Sequence, residues 1–238
     1  MTDGGPGAIG TAGPWPRPER RVLDGRWCRL EPLDPARHAA DLWEAVSGPE
    51  AERLHRFLPE APPRGRAELD SWARRASGSA DPMFLAVIDA ASGRAVGRQA
   101  IMSVMPEHGD AEIGHILWGP RLAGTAAATE AVFLVAREML GRLGYRRLTW
   151  KCDAANAASR RAAERFGFSP EGVFRQHRVV KGRNRDTAWF SILDREWPTL
   201  RRDFEDWLAP ANFDAARRQL RRLGERSGRR RGPGQRPA

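Results

Sequence analysis

The feature that most constrains the fold is the stretch over residues 112–168, in which apolar segments alternate with short segments of small or polar residues. An apolar segment ending at Trp118 leads into a loop of small residues, and a long apolar-periodic segment then runs to Leu143. Apolar residues at steps of three or four are typical of one face of a helix. The stretch is therefore predicted to fold as strand, loop, helix, strand and helix.

The loop over residues 123–128, which we call the phosphate-binding loop, has a composition suited to an anion. It reads Ala-Gly-Thr-Ala-Ala-Ala, so no large side chain shields the backbone. The first N–H groups of a helix have no partner within it and lie at the positive end of its dipole. A pyrophosphate could approach these groups closely. The alternative is an alanine-rich helix start that binds nothing, since alanine is the best helix former.

Composition narrows the class of protein. The chain has 238 residues, 41% of them hydrophobic, which suits one domain with tails. No apolar run approaches ~18 residues, so no membrane span is predicted, and the first 25 residues lack the pattern of a secretory signal. Cys28 and Cys152 lie in apolar strand patterns without metal-ligand spacing. We expect buried, reduced thiols, a cytoplasmic protein and no metal.

The net charge of +10 is concentrated at the C-terminal end, where residues 211–238 carry nine arginines and two acidic residues. The body therefore needs no nucleic acid to explain its charge. We predict a disordered, Gly- and Pro-rich arm over residues 1–22, a folded domain over 23–210 and a basic tail over 211–238. Within the tail, residues 214–223 are predicted to form a basic helix, followed by a disordered end over 228–238.

The remaining segments are predicted to combine helices with an antiparallel meander. Strands are predicted over residues 27–33, 83–88, 95–104 and 112–118, and after the central stretch over 172–180 and 187–193, with a hairpin turn at 181–184. Helices are predicted over residues 35–46, 52–57, 67–77 and 195–208. The fold class is α/β in the α+β sense.

Three motifs together resemble one known family. Residues 127–131 read Ala-Ala-Thr-Glu-Ala, residues 156–168 contain Asn-x-x-Ser followed by Gly-Phe, and residues 171–191 contain Glu-Gly-Val-Phe-Arg and Lys-Gly-Arg-Asn-Arg-Asp. Their order and spacing resemble the GCN5-related N-acetyltransferase (GNAT) superfamily, in particular the RimJ/RimL-type branch of ribosomal-protein N-acetyltransferases. This resemblance implies a mixed, mostly antiparallel sheet of about seven strands, flanked by helices and splayed at an acetyl-CoA site.

The resemblance also implies the residues that bind acetyl-CoA as cosubstrate. The loop motif falls on this chain with alanine in place of the usual Gln or Arg and of the central glycine, so only backbone N–H groups remain for the phosphates. The asparagine is implied to bind the pantetheine arm, although an N-cap needs the same residue type. The implied set is Ile116, Leu117, Trp118, Ala123, Gly124, Thr125, Ala126, Ala127, Ala128, Asn156 and Ser159.

The catalytic residues are less clearly marked. The resemblance implies Ser159 as the acid that protonates the leaving thiolate. Arg178 occupies the position of the branch's usual glutamate, and an arginine cannot accept a proton at working pH. His177 has a suitable unperturbed pKa of ~6.5, but adjacent strand residues point to opposite faces. Glu112 is a further candidate base, and Asp186 and His115 remain alternatives.

Together these observations predict an N-acetyltransferase that moves an acetyl group directly to a primary amine. The acceptor is a protein N-terminal amine or a small-molecule amine. An α-amino group, with a pKa of about 7.7–8.0, has little need of a base. The alternatives are a catalytically weak acyl-CoA-binding module, and a protein whose arginine-rich tail makes weak contact with RNA or the ribosome. The assembly is expected to be a monomer or homodimer.

Overall fold

The computed structural model describes residues 13–225, so the predictions for residues 1–12 and for the end of the tail lie outside it. The strands are β1 (Leu23–Asp24), β2 (Cys28–Pro32), β3 (Met83–Asp89), β4 (Ala95–Met105), β5 (Asp110–Trp118), β6 (Arg147–Asp153), β7 (Ser169–Val180) and β8 (Arg183–Leu193). The α-helices are α1 (Pro35–Val46), α2 (Ala51–His55), α3 (Arg66–Gly78), α4 (Ala126–Ala136), α5 (Ala157–Arg165) and α6 (Trp197–Leu208). A π-helical segment, Arg137–Arg142, continues α4. No helix of the described part is long and apolar enough to cross a membrane.

The strands form one sheet in the order β1-β2-β3-β4-β5-β6-β8-β7. Every neighbouring pair is antiparallel except β5 and β6, which α4 joins as a crossover and which are parallel. The predicted mixed, mostly antiparallel sheet is confirmed. It has eight strands rather than about seven, the two-residue β1 being one of them.

The parallel pair is short, and this opens the sheet. β5 and β6 are in register only from Asp110 opposite Arg147 to Ile113 opposite Trp150. Beyond this point β5 pairs with β4 alone, and β6 pairs with β8 alone. The backbone of residues 114–118 therefore has no strand on its β6 side, which is the splay that the family resemblance implied.

Helices cover the two faces of the sheet unequally. Every residue of α4 from Ala127 to Ala136 is buried, and α6 packs behind it, with Phe133 of α4 lying 5.5 Å from Phe204 of α6 between ring centroids. On the opposite face, α1 and α3 cover β3 and β4 around Phe84. Asp34 caps α1 and Pro35 occupies its first turn, where the missing N–H does no harm.

The predicted disordered arm is wrong for residues 13–22. Trp15 is only 9% exposed. Its indole N–H donates to the Gly144 carbonyl at 2.6 Å, and its backbone N–H donates to the Pro106 carbonyl at 2.9 Å. The Gly- and Pro-rich composition suggested disorder, but one buried aromatic residue fixes this segment against the turn after β4.

The predicted helix over residues 214–223 is also wrong. Residues 209–221, which we call the C-terminal loop, fold around the buried Asn212. Its side-chain amide donates to the Trp207 carbonyl at 3.0 Å and accepts from the Arg221 N–H at 2.9 Å. After a 3-10 turn at Pro210–Asn212, these hydrogen bonds hold the backbone from residue 214 in a non-helical path. The first part of the predicted basic tail therefore belongs to the folded domain.

Candidate active site

A groove of about 1260 Å³ lies between the start of α4, the end of β5 and the C-terminal loop. Trp118 and residues 124–128 of the phosphate-binding loop line it. Ala123 is exposed and outside the lining. At the strand end Ile116 is half-buried, whereas Leu117 is buried in the core, so Leu117 can meet a ligand only through its backbone, which is the role expected of residues 116–118.

The phosphate-binding loop offers fewer N–H groups than its sequence suggested. Thr125 caps α4: its Oγ1 accepts from the Ala128 N–H at 3.2 Å. The N–H groups of Ala123 and Thr125 donate to carbonyls within the same turn. Among the described residues, the N–H groups of Gly124, Ala126 and Ala127 have no partner. Three N–H donors at the start of α4 are thus open, whereas those of Ala123, Thr125 and Ala128 are used within the turn and the cap.

Asn156 and Ser159 lie beside the splay. The Oδ1 atom of Asn156 accepts from the Ser159 N–H at 3.1 Å, so the capping role is real. Its Nδ2 group has no partner among the described residues and remains available to a ligand. The Ser159 hydroxyl accepts from the Trp150 indole N–H at 3.0 Å. Because Trp150 ends the parallel pair, this contact places the hydroxyl near the point where β5 and β6 separate.

Both cysteines are buried free thiols, as predicted. Burial raises the pKa of Cys28, and the neighbouring Glu130 carboxylate raises it further. Burial also raises the pKa of Cys152. Neither thiol is therefore suited to act as a nucleophile. Residues 13–225 contain no cluster of His, Cys, Asp and Glu that could hold a metal ion.

Glu112 lies on the other face of the splay, in a polar network that joins four strands. Its Oε2 atom accepts from Lys151 Nζ at 2.7 Å and from the Ser103 hydroxyl at 3.3 Å. The Lys151 ammonium lies 4.2 Å from the centre of the Trp189 ring. The Oε1 atom is directed towards Gly114, where a Cβ atom would lie 3.4 Å from it. This oxygen therefore lies where β5 leaves β6, and the residue is only 6% exposed.

His177 does not contact Glu112. Its ring packs beside Phe174 and Trp189, at 5.4 and 6.2 Å between centroids, and its Nδ1 is buried without a partner in the described chain. The contacts run from His177 through Trp189 and Lys151 to Glu112. The alternative base Asp186 accepts from the Gln176 N–H at 2.7 Å, which holds its pKa below the usual range and gives it a structural role.

A second polar cluster, which no sequence motif indicated, lies beside the splay. Arg98 is 3% exposed, lies 4.4 Å from the centre of the Trp72 ring, and donates to the His115 carbonyl at 2.8 Å. It also forms an ion pair with Glu60. Burial alone would raise the pKa of Glu60, but His115 and Arg98 outweigh it and lower that pKa to about 2.

This cluster holds an unusual backbone conformation in β5. His115 has φ +47°, in the left-handed region that non-glycine residues rarely adopt. Such strain persists where the surroundings determine it, and here Arg98 is bonded to the His115 carbonyl. The two residues bonded to Arg98 lie 17 and 38 positions away from it in the chain, so no short motif could reveal the cluster. The alternative base His115 is therefore part of the support of the strand end.

The fold and groove define a class: an α/β domain whose mostly antiparallel sheet opens beside a helix N-terminus. The family model described as an acetyltransferase (GNAT) domain matches residues 28–169, more than half of the chain. The chain belongs to the GNAT family of acetyltransferases.

Individual relatives agree with this assignment. The crystal structure of a GCN5-related N-acetyltransferase from Brucella melitensis is 52% identical, covers 91% of this chain and 98% of that one, and superposes with a TM-score of 0.89. A structure described as a probable GNAT-family acetyltransferase from Chromobacterium violaceum is 37% identical over 83% of this chain and 98% of that one, with a TM-score of 0.75.

A third relative is an uncharacterized N-acetyltransferase, p20, from Bacillus licheniformis. It is 31% identical over 102 residues, which is 43% of this chain. The match spans 57% of the length of that relative.

Proposed function

We propose that the protein transfers an acetyl group from acetyl-CoA directly to a primary amine. The observation that carries the proposal is the splay between β5 and β6, which meets the open N–H groups of α4 at one end and the Glu112 carboxylate at the other. The same opening of the sheet can therefore hold both the acyl donor and the acceptor amine. The residues present fit the cosubstrate, because a phosphate-sized cradle and an unpaired strand lie on the same side.

The cosubstrate is held chiefly by main-chain groups. The N–H groups of Gly124, Ala126 and Ala127 bind the pyrophosphate at the start of α4. The pantetheine arm lies along residues 114–118 of β5, where it takes the place of a missing strand. The Nδ2 group of Asn156 donates to this arm from the opposite side. Trp118, whose indole N–H is buried without a partner in the described chain, offers one more donor at the groove.

The reaction needs no covalent enzyme intermediate. The neutral amine attacks the thioester carbon, the C–N bond forms and the C–S bond breaks, and a thiolate leaves. Glu112 Oε1 accepts the proton of the ammonium, directly or through one water, and the Ser159 hydroxyl gives its proton to the thiolate. An unpaired N–H of residues 114–118 stabilises the oxyanion. His177, which Trp189 and Lys151 separate from Glu112, is the alternative acceptor of the proton.

A protein N-terminal amine is the acceptor that these groups suit best. Glu112 is ion-paired and its Oε2 is fully engaged, so proton removal is easiest for an amine that is already partly neutral in solution. An α-amino group, with a pKa of about 7.7–8.0, meets this condition and a lysine amine does not. The motifs shared with the RimJ/RimL branch support the same acceptor. Lys181 Nζ donates to the His55 carbonyl at 2.8 Å, so the β7–β8 hairpin contacts α2.

The test is acetyl transfer to a peptide library that varies the first residues, read by mass shift. Matched controls are the same peptides with a blocked N-terminus and one internal lysine. We expect acetylation of the free N-terminal amines and little of the blocked set. If the protein binds acetyl-CoA in calorimetry but acetylates neither set nor any small amine, it is an acyl-CoA-binding module and the proposal is wrong.

A further inference from the structure

We propose that the C-terminal loop and Arg165 form a subsite for the adenosine 3′-phosphate of coenzyme A. The inference rests on the proposed function, since it concerns the same groove. It assigns a cosubstrate-binding role to part of the segment that the sequence described only as a basic tail.

The C-terminal loop is built into the groove wall. Phe213 packs between Trp27 and Trp207, with ring centroids 4.9 and 5.1 Å away. The Trp207 indole N–H donates to Gln219 Oε1 at 2.9 Å. Trp27 is fixed in turn, because its indole N–H donates to the Leu208 carbonyl at 3.0 Å. The loop therefore presents a defined surface to the groove, with an aromatic wall on which a purine ring could stack.

The groove carries a strong excess of positive charge. Its lining includes a single acidic residue, Asp89, which is engaged by Ser92. Arg218 is neutralised by Asp214 at 2.8 Å. The other arginines of the lining have no carboxylate partner among the described residues: they are Arg26, Arg121, Arg165 and Arg217. Cations left without anions around one groove favour an anionic ligand.

Arg165, the last residue of α5, contacts α4 at Thr129, the residue that follows the phosphate-binding loop. Its guanidinium donates to Thr129 Oγ1 at 2.9 Å and lies 4.9 Å from the centre of the Trp207 ring. Loss of hydration in the groove lowers the pKa of this arginine, and no neighbouring carboxylate offsets it. An arginine held between α4 and the C-terminal loop is positioned to bridge a ligand that extends from one to the other.

The donors already open at the start of α4 favour the 3′-phosphate, rather than the pyrophosphate, as the ligand of these arginines. The pyrophosphate already has the three open N–H groups at the start of α4. A phosphomonoester carries nearly two negative charges and three acceptor oxygens, which suits the planar donor set of arginine.

Calorimetry with coenzyme A and dephospho-coenzyme A, which differ only in the 3′-phosphate, tests the proposal. For the unchanged protein we expect coenzyme A to bind about tenfold more tightly. Arg165→Gln and Arg217→Gln should each reduce this ratio to about threefold or less, while affinity for dephospho-coenzyme A stays the same. Arg161→Gln, an exposed arginine of α5 outside the groove lining, is the matched control and should leave the ratio intact.

The outcomes separate this inference from the proposed function. Equal affinity for the two ligands in the unchanged protein, with acetyl transfer intact, overturns the subsite and leaves the enzyme. A tenfold ratio that survives both arginine substitutions also overturns it. Absence of affinity for either ligand overturns both proposals. Since Arg165 packs on Trp207 and its replacement could disturb folding, the exposed Arg217→Gln variant provides an independent test.

Discussion

At the scale of single residues, the proposed chemistry depends on the two oxygens of Glu112 having different surroundings. Its Oε2 anchors Lys151 and Ser103, and its Oε1 is left facing Gly114. The network fixes the side chain in one orientation, and an oriented carboxylate at the splay is what a general base requires. Gly114 contributes by its missing side chain, because a Cβ there would also lie 2.6 Å from the Met102 sulfur.

Glu112→Gln should lower kcat by about 100-fold, because the amide keeps the shape of the side chain but cannot accept the proton. The affinity for acetyl-CoA, measured by calorimetry, should not change. The defect should shrink as the pH rises towards the pKa of the acceptor amine, since a neutral amine needs no base. Steady-state kinetics over a pH series measures both effects.

Glu171→Gln is the matched control for this prediction. Glu171 is also a carboxylate of the sheet, paired with Arg147 and bonded to Ser191, but it lies near the start of β7. Its replacement should leave kcat and its pH dependence unchanged. A Glu112→Gln enzyme that retains full kcat at neutral pH would transfer the role of base to His177.

The sequence could identify Glu112, Asn156 and Ser159 as candidates because they lie in or beside recognisable motifs. It could not show how Glu112 is divided between its partners, since Lys151, Ser103 and Gly114 come from three different strands. The N–H groups used by the Thr125 cap were likewise hidden, because a capping threonine and an anion compete for the same donors.

At the scale of elements, α2 and the loop after it are tied to β5 by charge. Glu60 reaches Arg98, whose guanidinium is bonded to the His115 carbonyl. Removing the carboxylate would leave Arg98 buried without a counter-charge, and an uncompensated buried charge is strongly destabilising. The Arg98–Glu60 pair therefore holds the strained strand end in place.

Glu60→Gln should reduce the free energy of unfolding at neutral pH by about 2 kcal/mol, a drop of roughly 4–8 °C in Tm for a chain of this size. The pKa of Glu60 is lowered to about 2 in the folded protein. A lowered pKa contributes stability above the unfolded value near 4.3 and loses it as the pH falls towards 2. The difference in Tm between variant and parent should therefore shrink below about pH 4, as thermal melts over a pH series would show.

Glu50→Gln serves as the control, because the Glu50–Arg53 pair of the same region is largely exposed. Exposed pairs contribute little, so its Tm should change by less than about 2 °C. A Glu60→Gln variant as stable as the parent at neutral pH would mean that water solvates Arg98 in the folded protein.

Elements with strong local signals were predicted well, and those fixed by distant contacts were not. The helix over residues 35–46 matches α1 because Asp34, Pro35 and the apolar period all act locally. The C-terminal loop was taken for a helix because its path depends on Asn212, whose partners include Trp207 and Arg221. Trp15 likewise finds its partner 129 residues away, at Gly144.

At the scale of the whole molecule, the sheet consists of two parts joined by one short seam. β1 to β5 form one part and β6 to β8 the other, and four register pairs between β5 and β6 hold them together. Beyond the last pair, Ile113 opposite Trp150, the edges of both parts face a gap. A ligand in this gap replaces the missing strand pairing, so its binding should stiffen the sheet as well as fill the groove.

Acetyl-CoA should therefore slow amide hydrogen exchange in two separate places: in the phosphate-binding loop with the C-terminal loop, and along residues 114–118 of β5. Adenosine 3′,5′-bisphosphate, which lacks the pantetheine arm, should protect the two loops and leave β5 unchanged, because only the arm can pair with the open strand edge. Exchange followed by mass spectrometry at matched saturation measures both ligands. Protection by acetyl-CoA confined to the loops would show that the arm lies outside the splay, and equal protection of β5 by both ligands would show that the sheet stiffens without strand pairing.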